Sequence, residues 1–119
     1  MTDELLIPTG EAALDPGLPI CDAHHHLWER RNDRYLLEAF IDDTRNGHHI
    51  ASTVSVECRA MYHREGPKEL KPLGETEFLD RVPARALSDP NIKTSVAAGI
   101  VGHADLTLEM RWQPYSRVI

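Results

Sequence analysis

One stretch of this chain alternates apolar and polar positions strictly, two others are read as strands beside it, and apolar residues recur at helical spacing between them. Leu18-Pro19-Ile20-Cys21 is an apolar lead-in that predicts a strand over 18–24. Tyr35, Leu36, Leu37, Phe40 and Ile41 then recur on one helical face and predict a helix over 34–45, with Asp33 as its N-cap. Asn46-Gly47 stops that helix, because glycine adopts the left-handed conformation of a C-terminal cap without steric cost. The next stretch alternates strictly, with Val54, Val56 and Cys58 on one face and Thr53, Ser55 and Glu57 on the other. It predicts a strand over 50–58 with one face on helices and a polar face turned to a polar interior or water.

Residues 59–72 carry Gly66-Pro67 and Pro72 and read as a loop. Phe78, Leu79 and Val82 supply the inner face of a second helix over 75–86. Glu75 and Glu77 suit its N-terminal dipole, and Pro83 is expected to kink or end it. A turn at Ser88-Asp89-Pro90-Asn91 leads to a third strand over 93–101, closed by Gly102-His103-Ala104-Asp105. Strand, helix, strand, helix, strand is the order of a parallel α/β sheet joined by right-handed crossovers. Outside this unit, residues 1–17 read as an extended lead-in with Pro8, Gly10, Pro16 and Gly17, and 27–32 as a polar loop anchored by Trp28. The tail, 109–119, loses apolar periodicity, and Pro114 breaks any helix there.

A chain of 119 residues suits one domain. Its net charge of −6, with no basic run, argues against a nucleic-acid surface. No apolar run approaches the roughly 20 residues of a membrane-spanning helix. The acidic start Met1-Thr2-Asp3-Glu4 lacks the basic region of a signal peptide, so a cytoplasmic location is expected. Cys21 and Cys58 then read as small buried hydrophobes rather than a disulfide.

The chemistry concentrates in Asp22-Ala23-His24-His25-His26. On a strand, His24 and His26 point the same way, roughly 6.6 Å apart at the backbone, and His25 points the other way. Two imidazoles at that spacing converge on one divalent ion and form half of a metal site. His25 reads as a packing histidine. Asp22 is either an acceptor that orients a ligand histidine or a hydrogen-bond partner of the backbone. Glu57 reaches the C-terminal end of the second strand, where functional groups gather in parallel α/β folds. Arg59, Tyr62 and His63 follow in the loop, where an arginine holds a carboxylate by a bidentate pair, although solvated loop residues are the plainer reading. His103 and Asp105 end the third strand, where either could line a site.

Taken together, Ile20-Cys21-Asp22-Ala23-His24-His25-His26-Leu27-Trp28, Val56-Glu57-Cys58-Arg59-Ala60-Met61-Tyr62, Gly74-Glu75-Thr76-Glu77-Phe78 and Ala98-Gly99-Ile100-Val101-Gly102-His103-Ala104-Asp105-Leu106 resemble the amidohydrolase superfamily, in its amidohydrolase-2 branch. The resemblance covers 18–108. It implies the first three βα units of a (β/α)8 TIM barrel, with His24 and His26 as metal ligands on the first strand. Zinc is the first expectation, with manganese or no metal as alternatives. The implied activity is hydrolysis of small carboxylated lactones, cyclic esters or amides by metal-activated water; Glu57, Arg59 and Tyr62 are the substrate-binding candidates by their own place at the end of the second strand. The family's further histidines and its catalytic aspartate lie on later strands, and a barrel takes about 250 residues. The divergent tail is accordingly expected to mark a frameshift or premature stop. The alternative expectation is an inactive fragment, or a subunit that self-associates or needs a complementary chain at its open sheet edges.

Overall fold

The computed structural model describes residues 10–108. Three parallel strands form its centre: β1 (Pro19–His25), β4 (His49–Val56) and β5 (Ser95–Val101), in the order β1-β4-β5. Between β1 and β4 come a short antiparallel hairpin, β2 (Trp28–Arg30) and β3 (Asp33–Tyr35), and the helix α1 (Leu37–Thr44). Helix α2 (Leu73–Leu87) joins β4 to β5 after a 3-10 turn at Lys68–Leu70. The alternating pattern thus gives a parallel α/β sheet, with each new strand added beside the last. No helix among the described residues is long and apolar enough to cross a membrane. The expectations for 1–9 and 109–119 lie outside the described residues.

One buried cluster draws on both helices and the sheet: Leu37, Phe40 and Ile41 of α1, Leu79, Val82 and Ala86 of α2, and Val96 and Ala97 of β5. Both helices therefore lie against the same face. Leu79 and Val96 are 1% exposed. Burial of a side chain of that size contributes about 1.5–3 kcal/mol each. The other face keeps Cys21, Ala23 and His24 exposed and Val54 and Val56 half-buried, and Val101 is 49% exposed.

This reverses the facing expected for β4. Thr53 and Ser55 are fully buried beneath the helices, while Val54 and Val56 are not. A bulge in β5 gives the buried Thr53 hydroxyl a partner, whereas the buried Ser55 hydroxyl has none among the described residues. Ser52 pairs with Ser95 and Val54 with Gly99, so Thr53 stands opposite Val96, Ala97 and Ala98. Ala97 takes φ +51, and its N–H donates to Thr53 Oγ1 at 2.8 Å. A hydroxyl is needed there because the bulge frees a backbone donor from the ladder.

Three further expectations need correction. Asp33 is no helix cap: it opens β3 and accepts a hydrogen bond from Trp28 Nε1 at 2.9 Å, and the helix begins at Leu37. The segment around Trp28 is a hairpin rather than a loop, with the Trp28 and Tyr35 rings stacked at 5.0 Å across the strand pair. Cross-strand aromatic pairing overrode the helical spacing that includes Tyr35. Finally, α2 runs through Pro83 to Leu87, because Leu79, Val82 and Ala86 are buried on both sides of the proline.

Candidate functional site

His24, His25 and His26 leave the end of β1 in two directions. His25 is buried beneath α1, stacked on Phe40 with ring centroids 4.1 Å apart. Its Nε2 lies 2.9 Å from Thr53 Oγ1, the same hydroxyl that accepts from Ala97. Burial lowers its pKa below the ordinary histidine value, outweighing the nearby Asp22 carboxylate. A neutral imidazole in a packing position is the result.

His24 and His26 come together, with their rings edge-to-face and centroids 4.9 Å apart. A bulge in β1 accompanies this, since Asp22 pairs beside Thr53 but His25 beside Ser55, leaving Ala23 and His24 between them. Asp22 Oδ1 accepts the backbone N–H of His24 at 3.2 Å, which is the backbone alternative of its two expected roles. The group that orients an imidazole is a different one. His26 Nδ1 lies 2.8 Å from the Val56 carbonyl at the end of β4. A carbonyl only accepts, so Nδ1 carries the proton and, in the neutral ring, Nε2 carries the lone pair. This is how ligand histidines are commonly fixed.

Glu57 follows β4 and is half-buried, its N–H donating to the Val101 carbonyl at 2.8 Å. The next residues form a tight loop that alternation could not anticipate. Arg59 and Met61 both adopt left-handed backbone, at φ +62 and +56. Each such residue costs on the order of 1–3 kcal/mol and persists only where its surroundings enforce it. The enforcing group is Glu75 in the first turn of α2, 3% exposed. Its carboxylate accepts the N–H groups of Cys58 and Ala60, each at 3.0 Å at the closest. Glu75, expected only to complement the helix dipole, is thus a buried anchor for the loop.

The anchored loop borders a cavity of about 680 Å³ at the C-terminal ends of β4 and β5. Arg59, Tyr62, His103 and Asp105 all line it, joined by Lys68 and Lys71 from the turn before α2. Tyr62 stays protonated, its pKa raised by burial and then by Glu75 and Glu57. Asp105 is held below the usual carboxylate range by hydrogen bonds from the Thr107 hydroxyl and N–H. His63 lies outside this group and reaches Glu77 at 3.3 Å.

Neither a family model, a curated protein nor a solved structure matches this chain. The site must therefore be judged on its own chemistry. Among the described residues, no group of three or more His, Cys, Asp or Glu is gathered to hold a metal. His24 and His26 fit two positions of a tetrahedral ion and leave two to be supplied.

The cysteines divide sharply. Both are free, and Cys21 is exposed rather than buried as expected. Cys58 is half-buried, and burial followed by Glu75 pushes its thiol up to about 11. At pH 8 only about one Cys58 in a thousand is then thiolate, the form that reacts. Iodoacetamide is expected to label Cys21 first and Cys58 only slowly or after unfolding, as read by peptide mass spectrometry. Equal rates at the two positions would show that the Cys58–Glu75 contact does not protect the thiol.

Proposed function

We propose that this chain carries the first-strand part of a divalent-metal hydrolase centre, in a unit built like the opening three βα units of a (β/α)8 barrel. The reading rests on the sequence resemblance to the amidohydrolase-2 branch. One observation carries it further: the His26 ring is held by the Val56 carbonyl with Nε2 left as its metal-binding nitrogen, beside His24. Parallel strands added in sequence order, with both helices against one face, also support the barrel reading. A zinc or manganese ion held there would supply Lewis-acid polarisation and a bound water of lowered pKa. Within the chain itself, Val56 fixes the tautomer of His26, and Glu57 stands at the same end of the sheet. The substrates proposed are small carboxylated lactones, cyclic esters or amides, in the cytoplasm.

A second reading is favoured by the pairing of only two histidines and by the sheet face on which Val54 and Val56 are only half-buried and Val101 is exposed. In it the unit is catalytically inactive alone and joins a complementary chain or further copies. Zinc titration of the full chain, paired with a lactone-hydrolysis screen, separates the two. The first predicts metal binding that is lost in His24→Ala and His26→Ala, with turnover. Binding that both variants retain would overturn the assignment of the ligands. Binding lost in both variants but without turnover would leave the second reading.

A further inference from the structure

The chain passes from the end of α1 to the start of β4 through Arg45-Asn46-Gly47-His48. Asn46 and Gly47 are both exposed, and Gly47 takes φ +88. Among the described residues the Asn46 side chain makes no hydrogen bond and the Gly47 N–H donates none. The other asparagines are placed differently. Asn91 is followed by Ile92, a β-branched residue whose N–H donates to the Asp89 carbonyl at 3.1 Å. Asn32 is followed by Asp33, whose side chain adds bulk and negative charge next to its nitrogen. Only after Asn46 is the next backbone nitrogen free both of a side chain and of a hydrogen bond. The surroundings of Asn46 are acidic. Asp42 and Asp43 stand in the last turn of α1, which carries no basic residue, and the helix dipole disfavours negative charge at that end. Asp22, Asp43 and Asn46 also line one cavity of about 410 Å³, which no described lysine or arginine borders.

We propose that Asn46 is a site of spontaneous covalent modification, converted to aspartate and isoaspartate through a cyclic imide with Gly47, and that the acid so formed weakens the end of α1. Hydroxide removes the Gly47 amide proton, and the nitrogen attacks Asn46 Cγ to close a five-membered ring. The Cγ–Nδ2 bond breaks, and the amide nitrogen takes a proton from water and leaves as ammonia. Water then adds to one of the two ring carbonyls and reopens the ring. Opening at Cγ gives aspartate on an unaltered backbone. Opening at the α-carbonyl gives isoaspartate, in which the backbone runs through Cγ and is longer by a methylene. The reaction needs no oxidant or reductant and no reactant but water. Glycine favours the closure, because it has no Cβ to crowd the approach and its backbone turns freely. The two reacting groups are already neighbours in one chain, so the attack is intramolecular. Either product sets a third carboxylate beside Asp42 and Asp43 at the negative end of the helix dipole. Helix α1 also holds Phe40 against His25, so loosening its last turn reaches the strand that carries the histidines. The proposal does not rest on the metal reading, because neither Asn46 nor Gly47 is proposed as a metal ligand.

The test is incubation of the full chain at mildly alkaline pH, followed by peptide mapping that separates aspartate from isoaspartate. Asn46 is expected to convert about tenfold or more faster than Asn32 and Asn91, a modest difference in barrier. Both acids should appear at position 46, and both should form faster as the pH is raised. Asn46→Gln should suppress the reaction, since its longer side chain has to close a larger ring. Asn46→Asp supplies the charge alone and should lower the folding equilibrium constant about two- to fivefold, read as an earlier urea midpoint. Conversion of Asn32 or Asn91 as fast as Asn46 would overturn the site. So would an Asn46 that stays intact in the folded chain but converts in urea, since the folded loop would then hold the two groups apart. Aspartate without isoaspartate would overturn the cyclic route. An unchanged urea midpoint in Asn46→Asp would overturn the effect on α1.

Discussion

Gly74→Ala is expected to destabilise the protein by about 3 kcal/mol or more, measured by urea unfolding. A methyl group at this position would lie 2.4 Å from the Met61 carbonyl oxygen, 2.6 Å from the His63 nitrogen and 2.9 Å from the Tyr62 carbonyl carbon. All three are backbone atoms, and none moves without shifting the loop that carries Arg59 and Tyr62. Helix propensity alone points the opposite way, since alanine is favoured over glycine inside a helix by about 1 kcal/mol. The sign of the change therefore decides between close packing and intrinsic preference. A neutral or stabilising result would mean that the loop does not seat on α2 as described.

Glu75→Ala is expected to be comparably severe, at about 3 kcal/mol or more, because it leaves the N–H groups of Cys58 and Ala60 without their acceptor. Glu75→Gln keeps one acceptor oxygen and should cost roughly half as much. The glutamine variant also has a readout that a generally weakened fold would not give. Glu75 is the second cause, after burial, of the raised Cys58 pKa. Removing its charge should lower that pKa and speed alkylation of Cys58 in the still-folded protein. Retention of the wild-type pH dependence of alkylation in Glu75→Gln would separate the carboxylate from the thiol.

Those two residues also show what could be read in the sequence. An apolar lead-in for β1, alternation for β4 and the segment after the Ser88-Asp89-Pro90-Asn91 turn for β5 placed the three parallel strands to within a residue or two. Helical spacing located α2. It overextended α1, because Tyr35 belongs to the hairpin as a stacking partner of Trp28 and a hydrogen-bond donor to Asp43. The burial of Thr53 and Ser55 was not legible, since a hydroxyl face reads as solvent-facing unless the bulge that uses Thr53 is known. The edge-to-face contact of His24 and His26 follows from their spacing, but the Val56 carbonyl that orients His26 is a backbone atom with no sequence signal. The same holds for Glu75: its acceptor role appears only when two distant N–H groups turn toward it.

Among the described residues no strand lies beyond β1 or β5, and this imposes a rule of symmetry on copies that would extend the sheet there. A two-fold axis between copies would bring like edges together, and like edges then run antiparallel. Continuing the parallel ladder instead requires β5 of one copy to meet β1 of the next, a head-to-tail contact that either closes as a ring or propagates as a filament. Copies that contribute three strands apiece pass from six to nine and never total eight. An eight-stranded parallel barrel therefore has to be completed by five strands of different sequence, and not by stacking this unit upon itself.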